Sequence, residues 1–380
     1  MEKRIRPLAF AALVLMCFLP VIGAGKPANP EDEPSAYVLI EAATGTVLEQ
    51  YNADTQLSCG YLAKLMSLLL IAEDVEAGKY SPDTELTASE SVRGTKGSVV
   101  WLEPGDRMTV DELLKSVIVG NANDALTVLA EASEGNTESF VMRMNAEVFD
   151  LGLRDTAFYS PYGFDDEREH TTAADLAVIC AALSKHEVLA PYFAIWRDFV
   201  KSGTVEVVSE NYLAHTYKRH CGFKAAHSER SGHCIAEYAR SEDGDCYIAV
   251  VLGATDGEAA RKMAKTLCEK GFSGYNVTMT MFPDEMLRPV RVRHGVETAV
   301  ELRIREQSSL VLPNDSNGLR TVAVLPKYLD APVTEGQRVG TAAFYNGKVL
   351  VYESDIIAAA DVERLSFTYV LTHMLLKMIE

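Results

Sequence analysis

Three short stretches carry side chains whose types and spacing could do chemistry. In Cys59-Gly60-Tyr61-Leu62-Ala63-Lys64-Leu65-Met66 a phenol and an amine lie three residues apart at the head of a long apolar run. On a helix that spacing puts both on one face, where the amine can take a proton from an oxygen nucleophile. Asn121-Ala122-Asn123 supplies two amides, and Lys224-Ala225-Ala226 supplies a second amine. Two serines sit near the first stretch. Ser58 has Tyr61, not a lysine, three residues on; Ser67 shares the helix face of Lys64 but lies among Leu68 and Leu69. Both read as structural, and His170 reads as ordering a loop. No Cys-x-x-Cys pair or Cys/His ligand spacing occurs, so neither a metal nor a cofactor is expected.

The first stretch resembles the P-A-S-x-T-K-L-M segment of the penicillin-binding serine D-Ala-D-Ala carboxypeptidases. Further landmarks follow in that family's order: Leu102-Glu-Pro-Gly105, Thr109-Val-Asp-Glu-Leu-Leu114, Asn121-Ala-Asn-Asp-Ala125 against S-G-N-D-A, Met144-Asn145, Leu151-Gly-Leu153, Thr156-Ala-Phe158, Tyr162-Gly-Phe164 and His170-Thr-Thr-Ala173. Ser228-Glu-Arg-Ser-Gly232 matches the loop and glycine after the K-T-G box. The resemblance spans nearly the whole chain behind the leader.

It implies catalytic positions at Tyr61, Lys64 and Asn123, and substrate contacts at Asn121, Lys224 and Ala225. The losses fall on hydroxyl-bearing positions. Tyr61 stands where the family has its nucleophilic serine, Asn121 where S-x-N has serine, and Ala225-Ala226 where K-T-G has threonine and glycine. A phenol's oxygen lies too far from the backbone for an oxyanion hole sized to a serine, and its ring would occupy the D-alanine cleft. Asn121 lacks the hydroxyl that relays protons to the leaving group. Ala225 lacks one that helps grip the substrate carboxylate, and Ala226 adds a methyl on the strand that substrate lies along. The retained Lys64, Asn123 and Lys224 either still bind an anionic peptide or another ligand, or form a buried polar network joining two lobes.

The wider chain fits an exported two-domain protein. It has 380 residues, 48% hydrophobic and 24% charged, with a formal net charge of −18. That charge excludes nucleic acid as a partner and gives no attraction to anionic lipid. Residues 1–24 read as a signal peptide: Lys3, Arg4 and Arg6, an apolar stretch from Leu8 to Ile22 interrupted by Pro20, then Gly23 and Ala24. A retained N-terminal anchor is the alternative. Six cysteines lie beyond Cys17, scattered as small buried residues would be; Cys221 and Cys234, flanking a strand pair, are the best disulfide candidates.

The elements that must position the site follow from periodicity. Residues 25–34 form a Pro- and charge-rich linker. Strands are expected at 36–40 and 46–50 around Thr44-Gly45. Helices are expected at 63–76, at 110–119 behind the capping box Thr109…Glu112, at 124–132, at 138–149, and from the Thr172…Asp175 cap through 185. Strands at 217–225, 232–239 and 246–252 and a helix at 258–269, closing at Gly271, complete residues 35–273. The fold class is α+β, a sheet with its ends brought together and a helical lobe inserted between; the resemblance implies the serine β-lactamase/DD-peptidase-like form of it, with an antiparallel sheet. Residues 276–358 alternate in short strands punctuated by prolines, a small all-β, sandwich-like domain. At 362–380 the chain ends in an amphipathic helix with Phe367, Val370, Leu371, Met374, Leu375 and Met378 on one face; it is either an interfacial membrane contact or packed on protein, and its polar face carries only Lys377.

These features predict an exported, extracytoplasmic cell-envelope protein of peptidoglycan metabolism, catalytically impaired, that binds the stem peptide or a cell-wall enzyme. The alternative is an active carboxypeptidase with an atypical nucleophile.

Overall fold

The computed structural model describes residues 34–279, 282–314, 316 and 319–371. The expected signal peptide, most of the linker and residues 372–380 of the C-terminal helix lie outside them.

The first domain runs through β1 (Ala36–Glu41), β2 (Val47–Tyr51), α1 (Lys64–Glu76), β3 (Glu85–Thr87), β4 (Arg107–Thr109), α2 (Val110–Ile118), α3 (Asn123–Glu134), α4 (Thr137–Asp150), α5 (Ala173–Leu183) and α6 (Ala190–Phe193). It continues with β5 (Arg197–Val200), β6 (Val205–Val208), α7 (Leu213–Thr216), β7 (His220–Gly222), β8 (Ala225–Ser228), β9 (Gly232–Arg240), β10 (Cys246–Ala254) and α8 (Gly257–Gly274). The main sheet is antiparallel in the order β2-β1-β10-β9, with β7 and β8 following one another along the far edge of β9. The first and last strands of this domain therefore pair in the sheet, and the helices between β2 and β7 form the inserted lobe.

Side chains alternate across the sheet. Val38, Ile40, Ile248, Val250 and Leu252 join the main core with α1, α2, α3 and α5, whereas Leu39, Tyr247, Ala249 and Val251 pack with Ala260, Ala264 and Leu267 of α8. Helix α1 is buried on nearly every side, Leu65 to Ala72 without exception, so it is a core helix and not an amphipathic surface one. The expected caps form: Thr109 Oγ1 accepts from Glu112 N at 3.2 Å and Thr172 Oγ1 from Asp175 N at 3.0 Å.

Three expectations need correction, and one element had none. Cys221 and Cys234 are not a disulfide; all six described cysteines are free. Gly222 lies opposite Tyr238 on β9 and Ala226 opposite Cys234. That sets the two thiols about four residues apart along a strand, roughly 13 Å and well beyond the ~7 Å limit for a bridge. The expected strand 217–225 is broken: only the short β7 lies within it, with an irregular register, and β8 begins at its last residue. Helix α8 does not stop at Gly271. That glycine lies under the ring of Tyr247, where a Cβ would come within 2.8 Å, so it is kept for close packing and the helix passes through it. The β5–β6 hairpin, which reaches back to residue 197, was not anticipated.

Beyond α8 the second domain contains β11 (Tyr275–Met279), β12 (Val290–Arg293), β13 (Ala299–Val300), β14 (Leu302–Ile304), β15 (Ser309–Pro313), β16 (Leu319–Val324), β17 (Tyr328–Asp330), β18 (Arg338–Asn346) and β19 (Val349–Ala358). They form several small sheets around their own core, which includes Val292, Val333, Phe344 and Ile356. Among the described residues no helix is long and apolar enough to cross a membrane.

Candidate active site

The site is assembled where the head of α1, the loop before α3 and strand β8 meet. Tyr61 sits in a 3₁₀ turn, Gly60–Ala63, that feeds directly into α1 at Lys64. The turn is held tightly. Gly163 approaches so closely that a Cβ there would lie 2.0 Å from Gly60 O, and its φ of +79° is one that glycine alone adopts freely. On the other side the phenol oxygen faces Gly97. A Cβ at Gly97 would lie 3.7 Å from it and 2.7 Å from Asn123 Nδ2.

Lys64 is fully buried. Its Nζ donates to Asn121 O at 2.6 Å and to Asn121 Oδ1 at 2.7 Å, and stands 5.1 Å from the centre of the Tyr61 ring. Among the described residues no hydrogen bond joins it to the phenol oxygen. Asn121 adopts φ +56°, a left-handed conformation that asparagine tolerates, and this turns both of its oxygens toward the lysine. Its own amide reaches Glu210 Oε1 at 3.5 Å. Lys224, on the edge strand just before β8, donates to Val117 O at 3.0 Å and Ile118 O at 2.8 Å at the end of α2.

Both lysine amines are buried, and among the described residues neither has a carboxylate at ion-pair distance. Burial, with the like charge of Lys224, pushes Lys64 well below the usual lysine range against the opposing pull of Glu210 and Asp124. Burial brings Lys224 down to about 8, again opposed by Glu210. Asn123 donates to Lys96 O at 2.6 Å, and its Oδ1 is buried with no partner among the described residues. A buried, empty acceptor at such a position is a place for an incoming N–H or a water.

Of the residues singled out from sequence, Lys64, Asn121 and Tyr61 are in direct contact. Asn123 joins them through the loop at Gly97, and Lys224 through its field on Lys64. Ala225 borders a shallow recess with Asn121, Lys224 and Glu210. Ala226 differs from expectation: it is buried in the main core, so its methyl packs inward and does not stand in the recess. Ser67 is structural as read, donating to Pro161 O at 2.8 Å. His170 orders its loop through Arg168 O at 2.7 Å.

Two contributors escaped the sequence reading. Glu210 arrives on the segment following the β5–β6 hairpin, and Lys96–Ser98 closes over Tyr61 and Asn123. A polar Ser-Glu-Asn turn after a strand was the only local signal for Glu210, and it looks like any solvated turn.

Comparison with known proteins bears on this arrangement. The family described as D-alanyl-D-alanine carboxypeptidase matches residues 24–256, and the C-terminal domain of penicillin-binding protein 5 matches residues 278–364. The chain belongs to the D-alanyl-D-alanine carboxypeptidase family. It is 28% identical over 374 residues to D-alanyl-D-alanine carboxypeptidase DacF of Bacillus subtilis, covering 96% of each chain. It is 29% identical to DacC of Escherichia coli, over 96% of this chain and 93% of that protein. In fold it is similar to penicillin-binding protein 5 of Haemophilus influenzae, with a TM-score of 0.80 and 24% identity over 89% of this chain and all of that one. Family membership places the protein in peptidoglycan metabolism, and the two matched segments coincide with the α+β domain and the second β domain.

Proposed function

We propose that this protein is an exported member of the carboxypeptidase family that binds the cell-wall stem peptide without forming a covalent intermediate with it. The observation that carries the proposal is the use made of Lys64. In a serine hydrolase the base must face an oxygen nucleophile; here its protons go to the two oxygens of Asn121, and the adjacent hydroxyl-bearing residue is a tyrosine.

Three features support retained binding. Strand β8 pairs only with β9 among the described residues, so its outer edge can receive an extended peptide as an added strand. Asn123 Oδ1 is an unused acceptor close by. Lys64 and Lys224 are buried amines at this junction whose charged forms burial disfavours, and a terminal carboxylate would favour them again. Tyr61, Lys64, Asn123, Asn121, Lys224 and Ala225 are thus assigned to ligand recognition. A cell-wall enzyme presenting a carboxy-terminal tail would use the same features.

The test is calorimetry with a pentapeptide ending in D-Ala-D-Ala, paired with an assay for released D-alanine. Saturable binding without release is expected. Release that disappears in Tyr61→Phe would show the tyrosine to be a working nucleophile and replace this reading with the active one.

A further inference from the structure

We infer that Trp101 is a sugar-stacking platform, a second binding subsite for the amino-sugar rings of a glycan strand outside the peptide cleft. The chain has two tryptophans, and they are treated differently. Trp196 packs with Tyr212 and His215, ring centres 5.0 and 5.3 Å away. Trp101 is 69% exposed.

That exposure is built and held. Trp101 has φ +54°, a left-handed conformation that is strained for a residue with a Cβ. Glycine or asparagine would make the same turn more cheaply, so the aromatic is present for its side chain. Its backbone is fixed on both sides and at its own carbonyl. Val100 N donates to both carboxylate oxygens of buried Asp124 at 3.1 Å, and Leu102 N to Asp124 Oδ2 at 2.9 Å. Lys201 donates to Trp101 O at 2.5 Å and is itself paired with Asp106 at 2.9 Å. Val100 and Leu102 are buried, so the ring between them is presented on a rigid mount.

A fixed indole in water suits a flat ligand with one apolar face and polar edges, which is the chemistry of a pyranose ring. The exposed neighbour in sequence is Glu103, not a further apolar residue, and one ring is far below the roughly 1,200 Å² that a stable protein interface buries. Phe199, 56% exposed, lies on the same hairpin as Lys201, whose side chain reaches Trp101 O, and offers a second exposed ring on that hairpin. The net charge of −18 disfavours an anionic ligand but not a neutral sugar.

Position links this platform to the cleft. Gly97, four residues before Trp101, lies against Tyr61 and Asn123. Four residues of chain span at most about 14 Å, and an extended peptide of four or five residues spans about 14–18 Å. A sugar on Trp101 can therefore carry a peptide that reaches the Tyr61 and Asn123 side of the cleft, and two linked subsites bind one polymer with avidity. The inference rests on the peptide-binding reading for this link only, because the platform itself is defined without the peptide.

The experiment titrates the full chain with a β-1,4-linked N-acetylglucosamine tetramer, which contains no peptide, and follows tryptophan emission and calorimetric heat. Saturable quenching is expected at a Kd on the order of millimolar, as for single-ring sites. Trp101→Ala should weaken it at least about tenfold and Phe199→Ala less, while Trp101→Phe retains most of it. Pentapeptide binding should be unchanged in all three. Absence of a saturable response in the native chain would overturn the proposal, as would equal affinity in Trp101→Ala, or a Phe variant no better than the Ala variant. So would a native dimer that Trp101→Ala converts to monomer, since the ring would then be an interface residue. Failure of the sugar with retention of the peptide separates this inference from the function proposed above.

Discussion

Helix α1 begins and ends in buried charge, and its two ends handle it in opposite ways. At the far end Asp74 is matched completely. Arg143 donates to it at 2.7 Å, Ser133 at 2.6 Å and Tyr80 at 3.3 Å, with Lys79 at 3.7 Å. At the near end Lys64 has only carbonyl oxygens for partners, and the nearest like charge, Lys224, makes its position worse. A network kept only for stability neutralises its charges, as the Asp74 cluster does. Uncompensated charge maintained at a concave junction is the mark of a site waiting for a ligand. In the reading proposed above, the cleft keeps its two buried lysines while Tyr61, Asn121 and Ala225 stand where the resemblance calls for serine, serine and threonine.

The contrast can be broken by mutation. Asp74→Ala strands Arg143 and should cost about 3–5 kcal/mol in urea or guanidinium unfolding. Lys64→Met removes a charge that was already unfavourable and leaves two acceptors on Asn121 unpaired, so its cost should stay near 1–2 kcal/mol. If the two variants lose equal stability, Lys64 is a structural strut and the comparison fails.

A pH series sharpens it. Lys224 is depressed to about 8 in the folded chain, so between that value and the usual lysine range the unfolded chain binds more protons. Stability should therefore rise as pH increases from about 8 toward 10.5, by on the order of 2–3 kcal/mol for this group. The contribution is lost as pH falls through 8. Lys224→Met should flatten that limb. Glu169 has the reverse sign: burial raises it to about 7, so its contribution is present below pH 4.5 and lost as pH rises through 7. Glu169→Gln should flatten this lower limb and leave the upper one alone. Thermal melts across pH 4–10.5 check both, and an unchanged alkaline limb in Lys224→Met would remove the lysine from the account.

The smallest effect is expected midway along the helix. Ser67→Ala deletes one hydrogen bond to Pro161 O and should cost about 1 kcal/mol with pentapeptide affinity unchanged. A loss of binding there would extend the functional region deeper into α1 than proposed.

Much of this was legible in the sequence, for identifiable reasons. The caps Thr109 and Thr172 announce their helices because the oxygen and the amide it receives are three residues apart. Local rules see such contacts. Lys64, Asn121 and Lys224 were placed together by the order of their boxes, and the chain does bring them to one junction. What stayed hidden depends on folding in three dimensions. Glu210 acquires meaning only when the β5–β6 hairpin folds over Gly120, against which Val207 packs. Ala226 could be assigned to the core only once the register of β8 on β9 was fixed, since a shift of one residue exchanges the faces. Gly271 looked like a helix stop because its partner, Tyr247, lies on a strand that sequence does not show beneath it.

The central claim is that the site binds without being acylated because its chemical groups were lost together. Intact-mass analysis after incubation with a β-lactam tests it most directly, on the native chain, on Tyr61→Ser, and on the combination of Tyr61→Ser, Asn121→Ser, Ala225→Thr and Ala226→Gly. Groups that act as a unit are strongly non-additive, so one repaired member should gain little. The account predicts no adduct on the native chain, little on Tyr61→Ser, and a clear adduct on the fourfold variant. An adduct on the native chain would contradict it, because a nucleophile would still be at work beside Lys64.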